Sequence, residues 1–398
     1  MTGPGLKILI TNVWLDGRGG TESVVRDLAL GFQRRGHRPI VYSPHLGDAA
    51  REIHERGVSV ISDLGQLAET PDVIHGHHYV QTAEAILHFP EVPVVTLSHA
   101  WPFWQERPVK FPQVHRYLAV DEAVRDRLVQ IEQIPPERVE ILHNAVDLRR
   151  IPARPAALGK KRPRTALAFT KNKAQLPILQ AACRKMGVTL DVLGHGADRL
   201  VATPEAELVG YDLVFATARM ALEALCAGAA VIVCDARGLA GLVTSDNVER
   251  LRDLNFGLRS LVDPVTVEAI AAEIALYDAA EAGRVSERVR GFADLEPMLD
   301  RLEALYGEAI AAAAAQPPTE AERRQAMLAF LSETLPRGRT SPHWPWMAER
   351  QALLAQIRRL DQQLAHARAG IERGGDPEAL TPEGLAPEPG EVAPSARM

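Results

Sequence analysis

The sequence predicts an α/β protein of two domains, each built on a mainly parallel β-sheet. Short, continuously apolar runs bounded by turn residues recur through the first 235 residues, as expected of strands buried on both faces. Segments with helical spacing alternate with these runs. A length of 398 residues also exceeds what one ordinary core contains. We therefore expect two successive α/β units and a further segment.

Seven apolar runs outline the first domain, which we expect over residues 1–152. After the first run, Val24, Leu28 and Phe32 share one face of a helix predicted over Glu22–Arg35, and Gly36 ends it. The predicted strands are Lys7–Thr11, Pro39–Ser43, Val58–Ile61, Asp72–His75, Pro93–Ser98, Tyr117–Val120 and Val139–His143.

A second series of strands follows the proline-rich, basic segment 151–164, and we expect a second domain over residues 153–316. Its pattern turns helical over Val267–Ala282 and again over Leu295–Ala315. The predicted strands are Thr165–Thr170, Thr189–Leu193, Asp212–Phe215 and Ala230–Cys234.

The remaining residues predict a helical extension over 317–372 and a disordered tail over 373–398, which is rich in Pro, Glu and Ala. Within the extension, an apolar heptad seam is formed by Leu353, Ile357, Leu360, Leu364 and Ala367. The seam is short, so packing on the body of the protein and self-association through this helix both stay open.

Composition limits the classes of binding partner and the cellular compartment that we expect for this protein. A net charge of −6 provides no general attraction for nucleic acid. The spacing of Cys183, Cys226 and Cys234 is not that of a metal site and indicates reduced thiols in a cytoplasmic protein. The N-terminal apolar stretch predicts a first strand and not a signal peptide. No run reaches the roughly 18 apolar residues of a membrane span, which leaves peripheral contact as the form of membrane binding to expect.

A glycine-rich loop, 16–22, follows the first predicted strand and opens the first helix. Its Gly19 and Gly20 allow close approach, and backbone amides at a helix start can bind an anion or a sugar hydroxyl. The alternative is an ordinary turn that Thr21 caps.

Histidines close two neighbouring strands of the first predicted sheet. His75, His77 and His78 end one run, and His99 follows the next. The carboxyl ends of parallel strands meet at one edge, where α/β proteins bind ligands. No carboxylate or cysteine stands at a matching offset for a metal, so we expect a substrate site, with buried structural histidines as the alternative. The aromatic loop 100–104 follows and would meet an acceptor, a lipid surface or another loop.

In the second domain, Lys171 and Lys173 follow the first strand, where cations could neutralise a diphosphate leaving group. Glu223 lies in a helix between two strands, among apolar and small residues, and Arg219 precedes it on the same face. A favourable charge near the helix start is the simpler explanation of Glu223.

Taken in order, these segments resemble the family 4 retaining glycosyltransferases of the GT-B fold, in which two Rossmann-like domains face a cleft. Residues 19–22 match the family's Gly-Gly-x-Glu loop, and His75 and His77 match its His-x-His strand end. Residues 194–196 resemble its short glycine turn, and residues 223–228 resemble its Glu-Ala-x-x-x-Gly helix.

The resemblance implies that Glu223 binds the ribose of a nucleoside diphosphate sugar. It also implies that Lys171 and Lys173 hold the diphosphate, that Gly194 belongs to the donor site, and that Gly19 and Gly20 approach the donor or the acceptor across the cleft. Two departures are present. Phe215 stands where the family has a further glutamate, and the loop after Thr217 is contracted, which suggests Arg219 as a substitute anion contact.

The resemblance further implies a hexosyltransferase of carbohydrate biosynthesis that retains configuration and needs neither a metal nor a cofactor beyond its donor. The resemblance then favours His99 as the polar contact nearest the reacting sugar, followed by His75 and His77. Two alternatives stay open. A sugar-nucleotide epimerase or hydrolase can share this architecture. The Phe215 departure, the contracted loop and the heptad seam would equally fit a non-catalytic binding or assembly protein.

Overall fold

The structure is a computed structural model that describes residues 5–17, 19–153, 161–169, 174–193 and 207–335. The chain divides into two compact units, Met1–Met327 and Leu328–Met398. Of the second unit, residues 328–335 are described. The predicted heptad seam and the predicted tail therefore lie outside the described residues.

The first sheet has seven parallel strands in the order β5-β3-β1-β6-β7-β8-β9. Its central strands are buried throughout, in agreement with the continuous apolar runs of the sequence. Two short strands, β2 and β4, pair with each other beside it. In chain order the strands are β1 (Lys7–Thr11), β2 (Trp14–Leu15), β3 (Arg38–Tyr42), β4 (His45–Leu46), β5 (Ser59–Ile61), β6 (Val73–Gly76), β7 (Val94–Ser98), β8 (Val114–Ala119) and β9 (Val139–Ile141).

Helices connect these strands. The longest begins within the glycine-rich loop and buries the apolar face that the sequence predicts, including Val24, Leu28 and Phe32. The helices of this part are α1 (Gly20–Arg34), α2 (Asp48–Glu55), α3 (Tyr79–His88) and α4 (Glu122–Asp126).

The second sheet has the order β11-β10-β12-β13-β14. Its first four strands are parallel, whereas β14 runs antiparallel to β13 and is not among the predicted strands. The sequence of β14, Gly-Leu-Ala-Gly-Leu, lacks β-branched and aromatic residues, so its propensity gives no strand signal. The strands are β10 (Thr165–Phe169), β11 (Thr189–Leu193), β12 (Leu213–Ala216), β13 (Ala230–Asp235) and β14 (Gly238–Leu242).

One expected helix is broken in two. The sequence predicts a single helix over Val267–Ala282, but Asp278 ends the continuity because its side chain accepts a hydrogen bond from Ala280 N and caps a new helix. The remaining helices are α5 (Leu176–Met186), α6 (Ala218–Ala227), α7 (Val248–Asp253), α8 (Val267–Ala275), α9 (Ala279–Ala293), α10 (Leu295–Ala315) and α11 (Glu320–Thr334).

Helix α10 follows the second sheet in the chain but packs on the first. It contacts α1 and strands β6, β7 and β8. The Tyr306 hydroxyl lies 2.7 Å from His75 Nδ1, and Arg35 pairs with Glu296 at 2.7 Å. The sequence does not indicate this packing, because periodicity shows that a helix has an apolar face but not which sheet covers it.

The cysteines, all three of which the structure describes, are buried and unpaired. Burial raises the pKa of Cys183 to about 11 and the pKa values of Cys226 and Cys234 to about 12. Among the described helices, none combines the length and apolar character needed to cross a bilayer.

Candidate active site

The loop before α1 brings backbone to the carboxyl edge of the first sheet. Gly19 is the N-cap of α1. A Cβ on Gly19 would overlap the Glu22 carboxylate, which bends back to accept a hydrogen bond from the Thr21 hydroxyl at 3.0 Å. A Cβ on Gly20 would meet nothing within 4 Å among the described atoms. The start of α1 is therefore accessible at Gly20 and closed by Glu22 at Gly19.

The predicted histidine cluster is present as a row at the same edge. His77 Nδ1 lies 2.6 Å from His99 Nε2, and the two rings stack with centroids 4.8 Å apart. The His75 ring lies behind, 4.6 Å from that of His77. His75 and His77 are fully buried, whereas His99 is partly exposed. A substrate can therefore contact His99 directly, whereas it can act on His77 only through His99.

Burial keeps these rings neutral. It lowers the pKa of His75 to about 3, with help from His99, and lowers the pKa of His77 well below its usual range. The pKa of His99 falls to about 4, since burial and the charges of His78 and Arg219 outweigh the opposing effect of Glu106. Because a neutral imidazole has one N–H, one ring of the His77–His99 pair donates and the other accepts. His99 is thus a hydrogen-bonding group and a weak base.

Glu106, which sequence reasoning missed, fixes the far end of the row. Its Oε2 accepts a hydrogen bond from His99 N at 2.7 Å, and its Oε1 lies 3.5 Å from His78 Nε2. Burial would raise the pKa of Glu106, but its contacts with His78 and His99 lower it overall. His78 has a left-handed backbone with φ of 67°. A buried carboxylate thus orients the backbone from which His99 projects.

In the aromatic loop after His99, hydrogen bonds hold the backbone while the rings are exposed. Arg127 Nη1 donates hydrogen bonds to the carbonyls of Ala100, Trp101 and Phe103, at 3.2, 2.6 and 2.9 Å. The Trp101 and Phe103 residues are nevertheless 42% and 58% exposed. The loop therefore presents apolar surface next to His99 in a defined backbone conformation.

On the second sheet, α6 begins in a sharp turn directly after β12. Ala218 has φ of 51°, and its N–H donates to Phe256 O at 2.9 Å. Asn255 and Phe256 are also left-handed, and Asn255 Oδ1 accepts from Asn144 Nδ2 at 2.9 Å. Left-handed backbone at residues other than glycine is unfavourable and needs such support. The contracted loop predicted after Thr217 is here a strained turn braced by a neighbouring segment.

Glu223 lies buried on α6 with one carboxylate oxygen engaged. Its Oε1 accepts a hydrogen bond from Arg219 Nε at 3.0 Å, and 10% of its side chain is exposed. The described hydrogen bond to this carboxylate ends on Oε1, and Oε2 is not among the buried polar atoms that lack a partner. Burial raises the pKa of Glu223, as does Asp27, while Arg219 opposes the rise. One oxygen is thus fixed and the other is available to a ligand.

Arg219, which the sequence suggests as a substitute anion contact, donates hydrogen bonds to three protein groups. Besides Glu223, it donates to Ala145 O at 2.7 Å and to Asp27 Oδ2. Asp27 lies on α1 and also pairs with Arg26 and Arg150. Burial would raise the pKa of Asp27, yet these three arginines lower it overall. A buried ion-pair network therefore joins α1 to α6.

The other predicted residues divide into two groups. Lys171, Lys173 and Gly194 lie outside the described residues. Phe215 is 1% exposed in the core against one face of the second sheet and offers no polar group to a donor. Within the described ranges, no group of three or more His, Cys, Asp or Glu side chains could hold a metal ion.

Asp27, Glu106 and Tyr306 are the site residues that sequence reasoning missed. Asp27 could have been noticed, because it follows Val24 by three positions and so lies within the apolar stripe of α1. A carboxylate there needs a buried partner. Tyr306 carried no such signal, since a tyrosine on an apolar helix face is ordinary core.

Comparison with known proteins agrees with this picture of the first domain. Residues 18–150 match the family model described as Glycosyltransferase Family 4. The matched segment contains Gly19, Gly20, His77 and His99. No curated protein matches the chain.

Solved structures with similar folds include a glycosyltransferase from Rickettsia africae ESF-5, at a TM-score of 0.51 and 12% identity over 77% of this chain and 99% of that one. AviGT4, a glycosyltransferase involved in avilamycin A biosynthesis, gives a TM-score of 0.45 at 15% identity, over 77% and 98% of the two chains. A putative UDP-N-acetylglucosamine 2-epimerase from Listeria monocytogenes gives 0.48 at 14% identity, over 75% and 95%. The first of these likenesses shows the fold, which is the GT-B arrangement of two Rossmann-like domains.

Proposed function

We propose that this protein is a glycosyltransferase that moves a sugar from a nucleoside diphosphate sugar to an acceptor hydroxyl. The observation that carries the proposal is that Arg219 joins Glu223, on the second sheet, to Asp27 on α1, the helix that Gly19 caps at the edge of the first sheet. The charge of Arg219 contributes to the low pKa of His99. The match of residues 18–150 to Glycosyltransferase Family 4 supports the same activity.

On the donor side, Glu223 is the group we assign to the ribose. Its Oε2 can accept hydrogen bonds from vicinal hydroxyls, and an ionised carboxylate makes these bonds strong. We place the diphosphate against Lys171, Lys173 and the backbone near Gly194, because cations and amides stabilise a leaving group that gains charge. Gly19 and Gly20 would face the transferred sugar from the first domain.

In the transfer, the bond between the anomeric carbon and the diphosphate oxygen breaks, and a bond to the acceptor oxygen forms. We propose that configuration is retained, that the sugar is a hexose and that no metal ion or cofactor takes part. Neutral His99 would hydrogen-bond the reacting sugar, and His77 would fix the orientation of its ring. Because the pKa of His99 is low, it would not act as the strong base of an inverting displacement.

The proposal is tested by screening UDP-, GDP- and ADP-sugars for thermal stabilisation of the protein. A donor at a hundred times its Kd should stabilise the folded state by about 3 kcal/mol. Glu223→Gln, which keeps the side-chain shape, should abolish most of this shift. Glu268→Gln, on exposed α8 surface, is the matched control and should respond like wild type. An equal shift in Glu223→Gln and wild type would contradict the donor assignment.

Product analysis separates this activity from its alternatives. A glycosyltransferase releases nucleoside diphosphate in proportion to acceptor. A hydrolase or epimerase would turn over the donor without any acceptor, and a non-catalytic binding protein would bind it without turnover. Activity that is unaffected by chelator would agree with a metal-independent reaction, whereas activity lost in chelator and restored by a divalent cation would contradict it.

A further inference from the structure

The ion-pair network between α1 and α6 reaches the candidate donor site from the opposite domain. Arg219 is its centre, and its three nitrogens each have a separate acceptor: Nε to Glu223 Oε1, Nη1 to Ala145 O and Nη2 to Asp27 Oδ2. The Asp27 and Arg219 side chains are 1% and 6% exposed. A guanidinium bound at all three nitrogens has one orientation available to it.

Glu223 depends on that orientation. Its Oε1 is fixed by Arg219, four residues earlier on the same helix, and the described hydrogen bond to this carboxylate ends there. Without Asp27, the guanidinium of Arg219 could rotate and donate a hydrogen bond to either carboxylate oxygen of Glu223. The direction in which Oε2 is presented is thus determined by a carboxylate on another helix.

A purely stabilising ion pair is a poor explanation of this arrangement. Removing a carboxylate and an arginine from water is costly, and apolar residues of similar size are often at least as stable. The network engages Oε1 of Glu223 and leaves part of this carboxylate exposed. An oriented but unsaturated carboxylate is more useful for ligand binding than for stability.

We propose that Asp27 is a positioning residue for the donor: it holds Arg219, which holds Glu223 Oε1 and thereby aims Oε2 at the ribose hydroxyls. This inference rests on the proposed function, because it takes Glu223 to be the ribose-binding group. It adds that the first domain, through Asp27 on α1, sets the geometry of the Glu223 carboxylate on the second domain. Asp27 would not touch the donor.

The same contacts give a pH signature. The charges that act on Glu223 are Arg219 on α6, Asp27 and Arg26 on α1, and Arg150. Asp27 raises the pKa of Glu223 and Arg219 lowers it. Asp27→Asn should therefore move the acid limb of nucleotide binding to lower pH, and Arg219→Met should move it to higher pH. Two substitutions that break one ion pair would shift the profile in opposite directions.

The test uses the full-length protein and whichever of UDP, GDP and ADP binds, each compared with its 2′-deoxy form. Wild type should prefer the ribonucleotide. Asp27→Asn should weaken ribonucleotide binding about tenfold, the scale of one charge-assisted hydrogen bond, and leave binding of the deoxy form nearly unchanged. Adding Asp27→Asn to Arg219→Met should have little further effect.

Arg35→Met is the matched control. Arg35 adjoins the C-terminal end of α1 and binds Glu296, Asp300 and Glu303, so its loss removes a comparable network from the same helix. This variant should lower Tm without changing the preference for ribose. Equal loss of ribose preference in Arg35→Met and Asp27→Asn would show a general effect on α1 and overturn the proposal.

The outcomes also separate this inference from the proposed function. If none of the three nucleotides binds, or if Glu223→Gln keeps full ribose preference, the donor assignment itself is wrong. If Glu223→Gln loses the preference while Asp27→Asn retains it, the donor assignment stands and the positioning role of Asp27 is overturned. Both results require that the variants keep the wild-type circular dichroism spectrum.

Discussion

At the scale of single residues, the site consists of polar groups whose pKa or orientation is set by the surrounding protein. His75, His77 and His99 are neutral because burial opposes their protonation, and Glu223 has a raised pKa for the same reason. A neutral histidine row requires no change of protonation on folding at neutral pH, but it disfavours the folded state in acid.

The histidine row should therefore make the protein acid-labile. The folded-state pKa values of these histidines lie below the ordinary 6.5. In acid, the unfolded chain therefore binds protons that the folded chain does not bind. The stability is complete above pH 6.5 and should fall between pH 6.5 and about 4, by on the order of 1 kcal/mol per pH unit for each histidine. Urea unfolding at pH 7.5, 6 and 5 measures this slope.

His75→Phe should reduce the slope of unfolding free energy against pH by the contribution of about one bound proton. It also leaves the Tyr306 hydroxyl without its partner and so lowers stability at every pH. Replacing exposed His45 with Gln is the control for the loss of a histidine outside the row. A slope identical in His75→Phe and wild type would mean that His75 is not held neutral by the fold.

Residue-level inference from sequence succeeded where strand ends bring residues together and failed where distant segments meet. His75, His77 and His99 were grouped correctly because parallel strands share a carboxyl edge. Asp27 and Arg219 are 192 positions apart, and Tyr306 and His75 are 231 apart. No local period or motif encodes such a pairing, so the partners of the site residues emerged only from the fold.

At the scale of elements, α1 is the helix on which the most depends. Its start faces the glycine-rich loop, its middle carries Asp27, and its later turns pack against α10. The close approach to α10 occurs at Gly31, where an added Cβ would lie 2.7 Å from Leu299 Cδ1. The absence of a side chain at Gly31 therefore sets the distance between the two helices.

Gly31→Ala should destabilise the protein, against the general rule for glycine in helices. Helix propensity alone favours alanine by about 1 kcal/mol, but overpacking a full core costs about 1–3 kcal/mol. Gly307→Ala, in the exposed part of α10 where a Cβ meets nothing within 4 Å among described atoms, should instead stabilise by about 0.5–1 kcal/mol. Tm shifts of opposite sign are expected, and a rise for Gly31→Ala would contradict the packing argument.

Sequence patterns predicted the elements better than their ends and associations. Buried apolar runs identified the long parallel strands, because both faces of such strands are covered. They missed β14, which lacks β-branched residues, and they joined α8 to α9 across the cap at Asp278. Capping and edge pairing depend on one or two side chains, which a periodicity averaged over a dozen residues cannot resolve.

At the scale of the whole molecule, chain order and spatial order differ. The chain leaves the first sheet, builds the second and returns through α10 to cover the first. The crossing point is a backbone pairing in which Val146 N donates to Ala293 O and Leu295 N donates to Val146 O, at 2.9 and 3.1 Å. The outgoing and returning segments thus run side by side. The first sheet is covered by α10 only once the chain has been synthesised as far as residue 315.

Truncation should reveal this order. A chain that ends after Asp294 lacks α10 and exposes the apolar surface of the first sheet, so we expect it to aggregate or to lose near-ultraviolet circular dichroism. A chain that ends after Gln316 keeps α10 and should melt within a few degrees of the full-length protein. If both truncated chains are equally stable, the packing of α10 on the first sheet contributes little.

The buried cysteines make this protein a convenient subject for spectroscopy. Cys183, Cys226 and Cys234 are buried and have pKa values near 11 or 12. Maleimide reagents should therefore not react with them while the protein is folded. A cysteine introduced at exposed Phe103 and another at exposed Leu258 would then be the only reactive thiols. Dyes at these two positions, one on each α/β half, would allow domain motion to be followed by energy transfer in an otherwise native chain.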